Sequence, residues 1–173
     1  MLYIKADDEI SEFDGQEVLI FPLKQDELEL LNESKENFSA YINLNFEALE
    51  ISKETFQILF NKIKENPNNW VFHTLWVVVS IQKRAIVGLI YFKSFTSDGE
   101  VEIEFSTGEK HQNEGYATTA VSLLCNFSKN VNISKIKAKT QKNNVFAIKI
   151  LKNNGFFEKI EQNNQIYWEK EVL

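Results

Sequence analysis

Cysteine, proline and glycine are all scarce in this sequence. Its 173 residues include one cysteine, two prolines and six glycines. The single Cys125 cannot form a disulfide within the chain, and no set of cysteines or histidines has the spacing of metal ligands. We therefore expect a reducing environment and no bound metal ion. The low proline content, together with 43% hydrophobic residues, is typical of a folded globular protein and not of a disordered or fibrous one.

Basic residues are outnumbered by acidic ones. The chain has 19 lysine and arginine residues against 25 aspartate and glutamate residues, for a formal net charge of −6 and a pI near 5.1. No basic cluster is long enough to follow a phosphate backbone, which argues against a nucleic-acid partner. A negative surface attracts amines, and this mildly favours a cationic substrate.

Long apolar runs and secretion signals are also missing. The apolar runs at 76–81 and 85–95 are separated by the polar segment 82–84, so neither reaches the length that spans a membrane. The N-terminal "MLYIKADDEISEFDG" is acidic where a signal peptide needs a basic start and an apolar run. We expect a cytoplasmic protein with no membrane partner.

Helix and strand periods recur along the chain, and its length predicts one domain over residues 1–173. Alternating or β-branched runs predict strands at 17–23, 76–81, 85–95, 100–106, 134–141, 156–160 and 165–172. Apolar residues at helical spacing predict helices at 24–34, 52–65, 116–129 and 144–155. Residues 34–50 have no clear pattern. This order indicates an α/β (α+β) fold, with one mixed sheet covered by helices.

A glycine stands at the mouth of one predicted helix, in "HQNEGYATTAVSLL". The helix begins near Tyr116, and its first N–H groups have no intrahelical partner, so they can bind phosphate oxygens. Gly115 has no Cβ to block the approach of a ligand. A plain turn is the alternative on spacing alone. The loop has neither the P-loop pattern nor the dinucleotide-binding glycines, so neither kind of nucleotide site is predicted.

Two stretches, "VEIEFSTGEKHQNEGYATTAVSLL" and "TQKNNVFAIKILKNNGFF", resemble the GNAT-type N-acetyltransferases, particularly the branch that acetylates the N-termini of ribosomal proteins. That family has an Arg/Gln-x-x-Gly-x-Gly/Ala loop after an acidic strand, and Gln112, Gly115 and Ala117 match it. A later family motif, Asn-x-x-Ser/Ala-x-x-x-Leu/Tyr-x-x-x-Gly-Phe, is matched by Asn144, Ala147, Leu151, Gly155 and Phe156. The likeness covers most of residues 17–170.

The resemblance implies acetyl transfer from acetyl-CoA to a primary amine, either a protein N-terminus or a small amine such as a polyamine or an aminoglycoside. It also implies a mostly antiparallel sheet in which two parallel strands, 101–106 and 135–140, splay apart around the cosubstrate. Members often form dimers, so a homodimer is an expected assembly. The residues that it assigns to acetyl-CoA binding are Phe105, Ser106, Gln112, Asn113, Glu114, Gly115, Tyr116, Ala117, Thr118 and Asn144.

The sequence departs from this branch at several positions. Asn113 replaces a second glycine, and asparagine tolerates a positive φ better than most residues do. The family's tyrosine acid toward the leaving thiolate falls at Leu151, and its occasional serine at Ala147, so a side-chain acid is missing there. The amine must lose a proton to attack. Glu102 matches the branch's strand glutamate, and we predict that it is the base, while Glu104 orients a cationic acceptor; two solvated glutamates are the alternative.

Other candidates are better explained by packing or exposure. We expect Cys125 to be buried packing and His111 to lie exposed in its loop. Several aromatic residues precede the first hairpin and could line an acceptor groove, but we expect them to pack in the core. They are Trp70, Phe72, His73 and Trp76. Lys142 and Lys149 could approach the phosphates of CoA, although surface lysines are the simpler interpretation. The alternatives to an enzyme are a non-catalytic acyl-CoA-binding or regulatory module and a purely structural domain.

Overall fold

The computed structural model describes residues 17–172. Its strands are β1 (Val18–Pro22), β2 (Asn45–Phe46), β3 (Leu75–Ser80), β4 (Ala85–Phe95), β5 (Glu100–Thr107), β6 (Lys135–Gln141), β7 (Phe157–Gln162) and β8 (Gln165–Glu171). Its helices are α1 (Gln25–Glu33), α2 (Lys35–Ile42), α3 (Lys53–Glu65), α4 (Tyr116–Asn130) and α5 (Val145–Asn153). All the strands and helices predicted from the sequence are present. The acidic N-terminal segment, for which the sequence predicts no signal peptide, lies outside the described residues.

The strands form one sheet in the order β1-β3-β4-β5-β6-β8-β7, and β2 pairs with β4 beside this path. Neighbouring strands along the path are antiparallel except β5 and β6, which are parallel; the short β2 is parallel to β4. The prediction of a mixed, mostly antiparallel sheet is confirmed.

A gap opens in this sheet between β5 and β6. The two strands pair only from Glu100 to Glu102 on β5, opposite Lys135 to Lys137 on β6. Beyond these residues, β5 continues to Thr107 and β6 to Gln141 without pairing to each other. The predicted splaying of the two parallel strands is therefore confirmed, and it leaves backbone N–H and C=O groups of both strands facing the gap.

Helices cover the sheet on both sides. Helices α1–α3 pack on one side, where Leu28, Phe38 and Leu59 join a cluster with alternate residues of β1, β3 and β4. Helices α4 and α5 pack on the other side, where Leu124 and Leu151 join a second cluster. Strand β3 is buried along its whole length because it lies between the two layers. No helix within residues 17–172 is long and apolar enough to cross a membrane.

The segment without a clear sequence pattern contains α2 and β2. Ser34 begins α2 by accepting a hydrogen bond from the Asn37 N–H (3.1 Å), and Asn43 ends it with a φ of 54°. These residues adopt the conformations that favour helix boundaries. The following residues pair briefly with β4, which brings Glu47 toward the loop before α4.

Candidate active site

A cavity of about 640 Å³ lies beside the gap, where the N-termini of α4 and α5 meet β5. Nine of the ten residues predicted to bind acetyl-CoA line this cavity: Phe105, Ser106, Gln112, Asn113, Gly115, Tyr116, Ala117, Thr118 and Asn144. The tenth, Glu114, is not among the lining residues, and its carboxylate lies 2.5 Å from the ammonium of Lys83. The structure thus brings together two motifs that are separated by about 30 residues of chain.

The loop before α4 leaves the helix start open toward the cavity. Gly115 precedes the helix with a φ of 86°, and a Cβ at this position would meet no protein atom within 4 Å. The first backbone hydrogen bond of the helix runs from Thr119 N–H to the Gly115 carbonyl oxygen (3.0 Å), so the N–H groups of residues 116–118 lack intrahelical partners. The first turn contains no acidic residue. This arrangement favours an anion.

Asn113 adopts a left-handed conformation, of the kind that glycine favours. Its φ is 65°, in the left-handed region that asparagine enters more readily than most residues. Asparagine therefore supplies a left-handed backbone conformation at this position of the loop without a glycine.

His111 is buried, so the prediction of an exposed loop histidine is wrong. Its side chain is only 6% exposed. Lys83 Nζ lies 3.2 Å from His111 Nδ1 and donates to it, which leaves the Nε2–H to donate to Glu47 Oε2 at 2.7 Å. The sequence signal was weak because Glu47 is 64 residues away. A Cβ at Gly108 would lie 2.0 Å from the carbonyl oxygen of Glu47, so the two segments also touch through their backbones.

The start of α4 is anchored on the hairpin of β3 and β4. The Tyr116 hydroxyl donates to Ser80 Oγ (3.1 Å), and Lys83 Nζ lies 5.6 Å from the centre of the tyrosine ring. Lys83 holds Glu114 as well, and its hydrogen bond is the main cause that lowers the pKa of that carboxyl. Three residues of the loop and helix start are thus fixed by neighbouring elements: His111, Glu114 and Tyr116.

Asn144 caps the second helix at the cavity. Its side-chain oxygen accepts a hydrogen bond from the Ala147 N–H (3.0 Å), and the residue lines the cavity. Lys149 lines the same cavity, whereas Lys142 is paired with Glu161. Leu151 is completely buried in the core, so it places no acid at the cavity.

The two predicted catalytic glutamates do not line the cavity. Glu104 pairs in register with Tyr91, whose side chain packs in the cluster under α1–α3, so both glutamates face that side of the sheet, across β5 from the cavity. Glu102 lies 3.3 Å from Lys139 and 3.9 Å from Lys93, while Glu104 lies 3.3 Å from Lys93. Burial, followed by the charge and hydrogen bond of Glu104, raises the pKa of the Tyr91 hydroxyl well above its usual range.

Three of the remaining candidates lie in the core. Cys125 is buried, and burial raises the pKa of its thiol, which confirms a packing role. Phe72 and Trp76 belong to the cluster under α4, where both rings contact Phe127. Core packing of this aromatic group is therefore confirmed for these two members.

Residues 18–157 match the model of a known family, the acetyltransferase (GNAT) domain. No curated protein is significantly similar to the chain.

Several solved structures share the fold. The ribosomal-protein-S5-alanine acetyltransferase of Vibrio fischeri superposes with a TM-score of 0.65 over 92% of this chain and 96% of that chain, at 16% identity. A mutant of the spermidine N-acetyltransferase of Vibrio cholerae has a TM-score of 0.62 over 90% of this chain and 94% of that chain, at 16% identity. An N-acetyltransferase of Staphylococcus aureus Mu50 has a TM-score of 0.61 over 91% of this chain and 100% of that chain, at 14% identity.

Proposed function

Because the chain belongs to the GNAT acetyltransferase family, we propose that it transfers the acetyl group of acetyl-CoA to a primary amine while both substrates are bound. The observation that carries this proposal is the position of the cavity. It places the open start of α4 next to the gap between β5 and β6. An anionic group and an extended amide chain can bind there side by side.

The residues of the cavity fit the two parts of CoA that the chain must hold. The free N–H groups of residues 116–118, without an acidic residue nearby in the first turn, suit a pyrophosphate. The unpaired edge of β5 at 103–106 suits the amides of a pantetheine arm, and the amide of Asn144 supplies a further donor. Glu114 stabilises the loop through Lys83.

Acetyl-CoA supplies an acetyl group that is activated as a thioester. Attack by the neutral amine forms the new C–N bond and breaks the C–S bond, and the electron pair of that bond leaves with the sulfur. Glu102, directly or through water, takes the proton that the amine loses, and Glu104 orients the amine. The positions of Leu151 and Ala147 offer no acid to the departing sulfur, which is a tolerable leaving group without one.

The absence of an acid at these two positions also favours a second candidate, a non-catalytic acyl-CoA-binding module. One experiment separates the two functions. Calorimetry measures the affinity for acetyl-CoA, and release of free thiol measures transfer to a panel of peptides, polyamines and aminoglycosides. We expect binding and transfer to at least one amine. Binding without transfer to any amine would favour the module, and no binding would exclude both functions.

A further inference from the structure

Lysine side chains occupy the acidic face of β5 where an acceptor amine would approach. Lys93 reaches both glutamates from β4, at 3.9 Å from Glu102 and 3.3 Å from Glu104. Lys139 reaches Glu102 from β6, at 3.3 Å. Each carboxylate on this part of the strand therefore already has an ammonium partner.

The ion pair of Glu102 with Lys139 joins β5 to β6 at the point where the two strands separate. Backbone pairing between β5 and β6 ends at Glu102 and Lys137, and Lys139 lies two residues beyond that point. Its ammonium group also lies 5.4 Å from the centre of the Tyr167 ring on β8, so the side chain contacts both neighbours of β6. The lysine thus stands on the acceptor side of the gap, and the cavity lies on the other.

A lysine of α3 supports the backbone of Lys93. Lys62 Nζ donates a hydrogen bond to the backbone carbonyl oxygen of Lys93 at 2.8 Å. The two glutamates are therefore paired with two lysines, and Lys62 holds the backbone of one of them. Although three glutamates lie on this face of β5, the charges of Glu102 and Glu104 are matched by those of Lys93 and Lys139.

We propose that Lys93 and Lys139 determine acceptor specificity by neutralising Glu102 and Glu104, so that the site selects the α-amine of a peptide chain and rejects polycationic alkyl amines. This inference rests on the proposed acetyltransferase function. Neither lysine is assigned to the reaction itself.

Two physical effects favour a peptide α-amine over a polyamine. A polyamine gains affinity from several unpaired carboxylates, whereas here each new contact must displace an existing ion pair. Nearby ammonium groups also disfavour a second charged amine and favour the neutral form of the acceptor. A peptide α-amine, with an ordinary pKa of about 7.7 to 8.0, loses its proton far more easily than an alkyl amine of about 10.4.

The test compares one peptide, whose N-terminal amine is its only amine, with spermidine. We expect kcat/KM of the unmodified protein to be higher for the peptide by at least about tenfold. The variants Lys93→Gln and Lys139→Gln should each raise kcat/KM for spermidine relative to the peptide by about fivefold, chiefly through KM of the acceptor. Lys129→Gln, an exposed lysine at the end of α4, removes the same charge on the other side of the sheet and should leave the ratio unchanged.

Two results would overturn the inference: a higher kcat/KM for spermidine than for the peptide in the unmodified protein, or an unchanged ratio in both lysine variants. Failure of the proposed function looks different, because no amine would then be acetylated by any variant. In that case, calorimetric titration of spermidine into the CoA complex still tests the inference about the two lysines. A gain in affinity of about fivefold in Lys93→Gln supports selection by charge, and equal affinities contradict it.

Discussion

The buried His111 and Glu47 form a hydrogen bond of 2.7 Å that joins the segment after α2 to the loop before α4. The histidine is held from its other nitrogen by Lys83, on the turn between β3 and β4. The loop that borders the cavity is therefore positioned by residues far away in the sequence, and the same contacts that stabilise the fold shape the proposed cosubstrate site.

Replacement of His111 by alanine should weaken both the fold and acetyl-CoA binding. It removes a buried side chain together with its hydrogen bond to a carboxylate, and a hydrogen bond to a charged group contributes about 1.5 to 3 kcal/mol to the free energy of unfolding. Urea unfolding measures the stability, and calorimetry measures the affinity. His73→Ala removes the other histidine, which lies outside the cavity lining. An equal loss of affinity in both variants would show that His111 has no special effect on the loop.

Gly115→Ala should reduce acetyl-CoA affinity more than stability alone explains. The φ of 86° strains any L-residue, at about 1 to 2 kcal/mol, and the new methyl group points into open space near the cavity. Gly155→Ala is the matched control: its φ is 74°, and its added Cβ would also be uncrowded, with Lys170 Nζ at 3.9 Å. Both variants should lose similar stability, but only Gly115→Ala should bind acetyl-CoA less tightly. Similar affinities in the two variants would argue against binding at this loop.

Glu102→Gln should lower kcat/KM for the best amine by about 10²- to 10⁴-fold, because a general base contributes on this scale. Glu100→Gln is the control, since Glu100 lies on the same face of the same strand but pairs with Lys135 and Lys137 where the two strands are still joined. Steady-state kinetics over a range of pH measure the effect. Equal activity of Glu102→Gln and the unmodified protein would remove Glu102 as the base.

The stability of the protein should fall with rising pH through the titration of Glu27. Burial raises the pKa of this carboxyl above its ordinary value of 4.5, against the opposing effects of the backbone N–H and the charge of Lys24. Between the pKa of the unfolded chain and that of the folded protein, the folded protein binds more protons. The free energy of unfolding therefore decreases as pH rises through that window, from 4.5 upward.

Glu27→Gln should remove this contribution and keep the hydrogen bond from the Lys24 N–H, which is 2.7 Å long in the unmodified protein. Urea unfolding between about pH 4 and about pH 8 compares the two proteins. Glu29→Gln, an exposed neighbour on α1, should keep the pH dependence. The same pH dependence in Glu27→Gln would assign it to other groups.

The sequence predicted the elements that have strong periodicity and missed those defined by distant contacts. Strands β3 to β5 and helices α4 and α5 carry long apolar patterns, and all were predicted. Helix α2 has eight residues and only Phe38 and Ile42 buried, so its pattern is too short to read. Strand β2 exists because Asn45 and Phe46 meet Ala85 and Ile86, which local sequence does not encode.

The residues of the candidate site also fall into those that were predicted from sequence motifs and those that depend on distant contacts. The loop and the start of α5 were predicted from their motifs, and nine of ten assigned residues line one cavity. The burial of His111 was missed because it depends on Glu47 and Lys83, which belong to other elements. The lysine partners of Glu102 were missed for the same reason, since Lys93 and Lys139 come from two other strands.

The short parallel pairing between β5 and β6 is the point about which the two halves of the sheet can rotate. Three residue pairs, from Glu100 with Lys135 to Glu102 with Lys137, connect its two halves through the strand ladder. A small rotation about these pairs would displace the unpaired ends of the two strands by a larger distance, because those ends lie farther from the pairs. We therefore expect substitutions near residues 100 and 135 to change the width of the gap from its closed end, away from any molecule bound inside it.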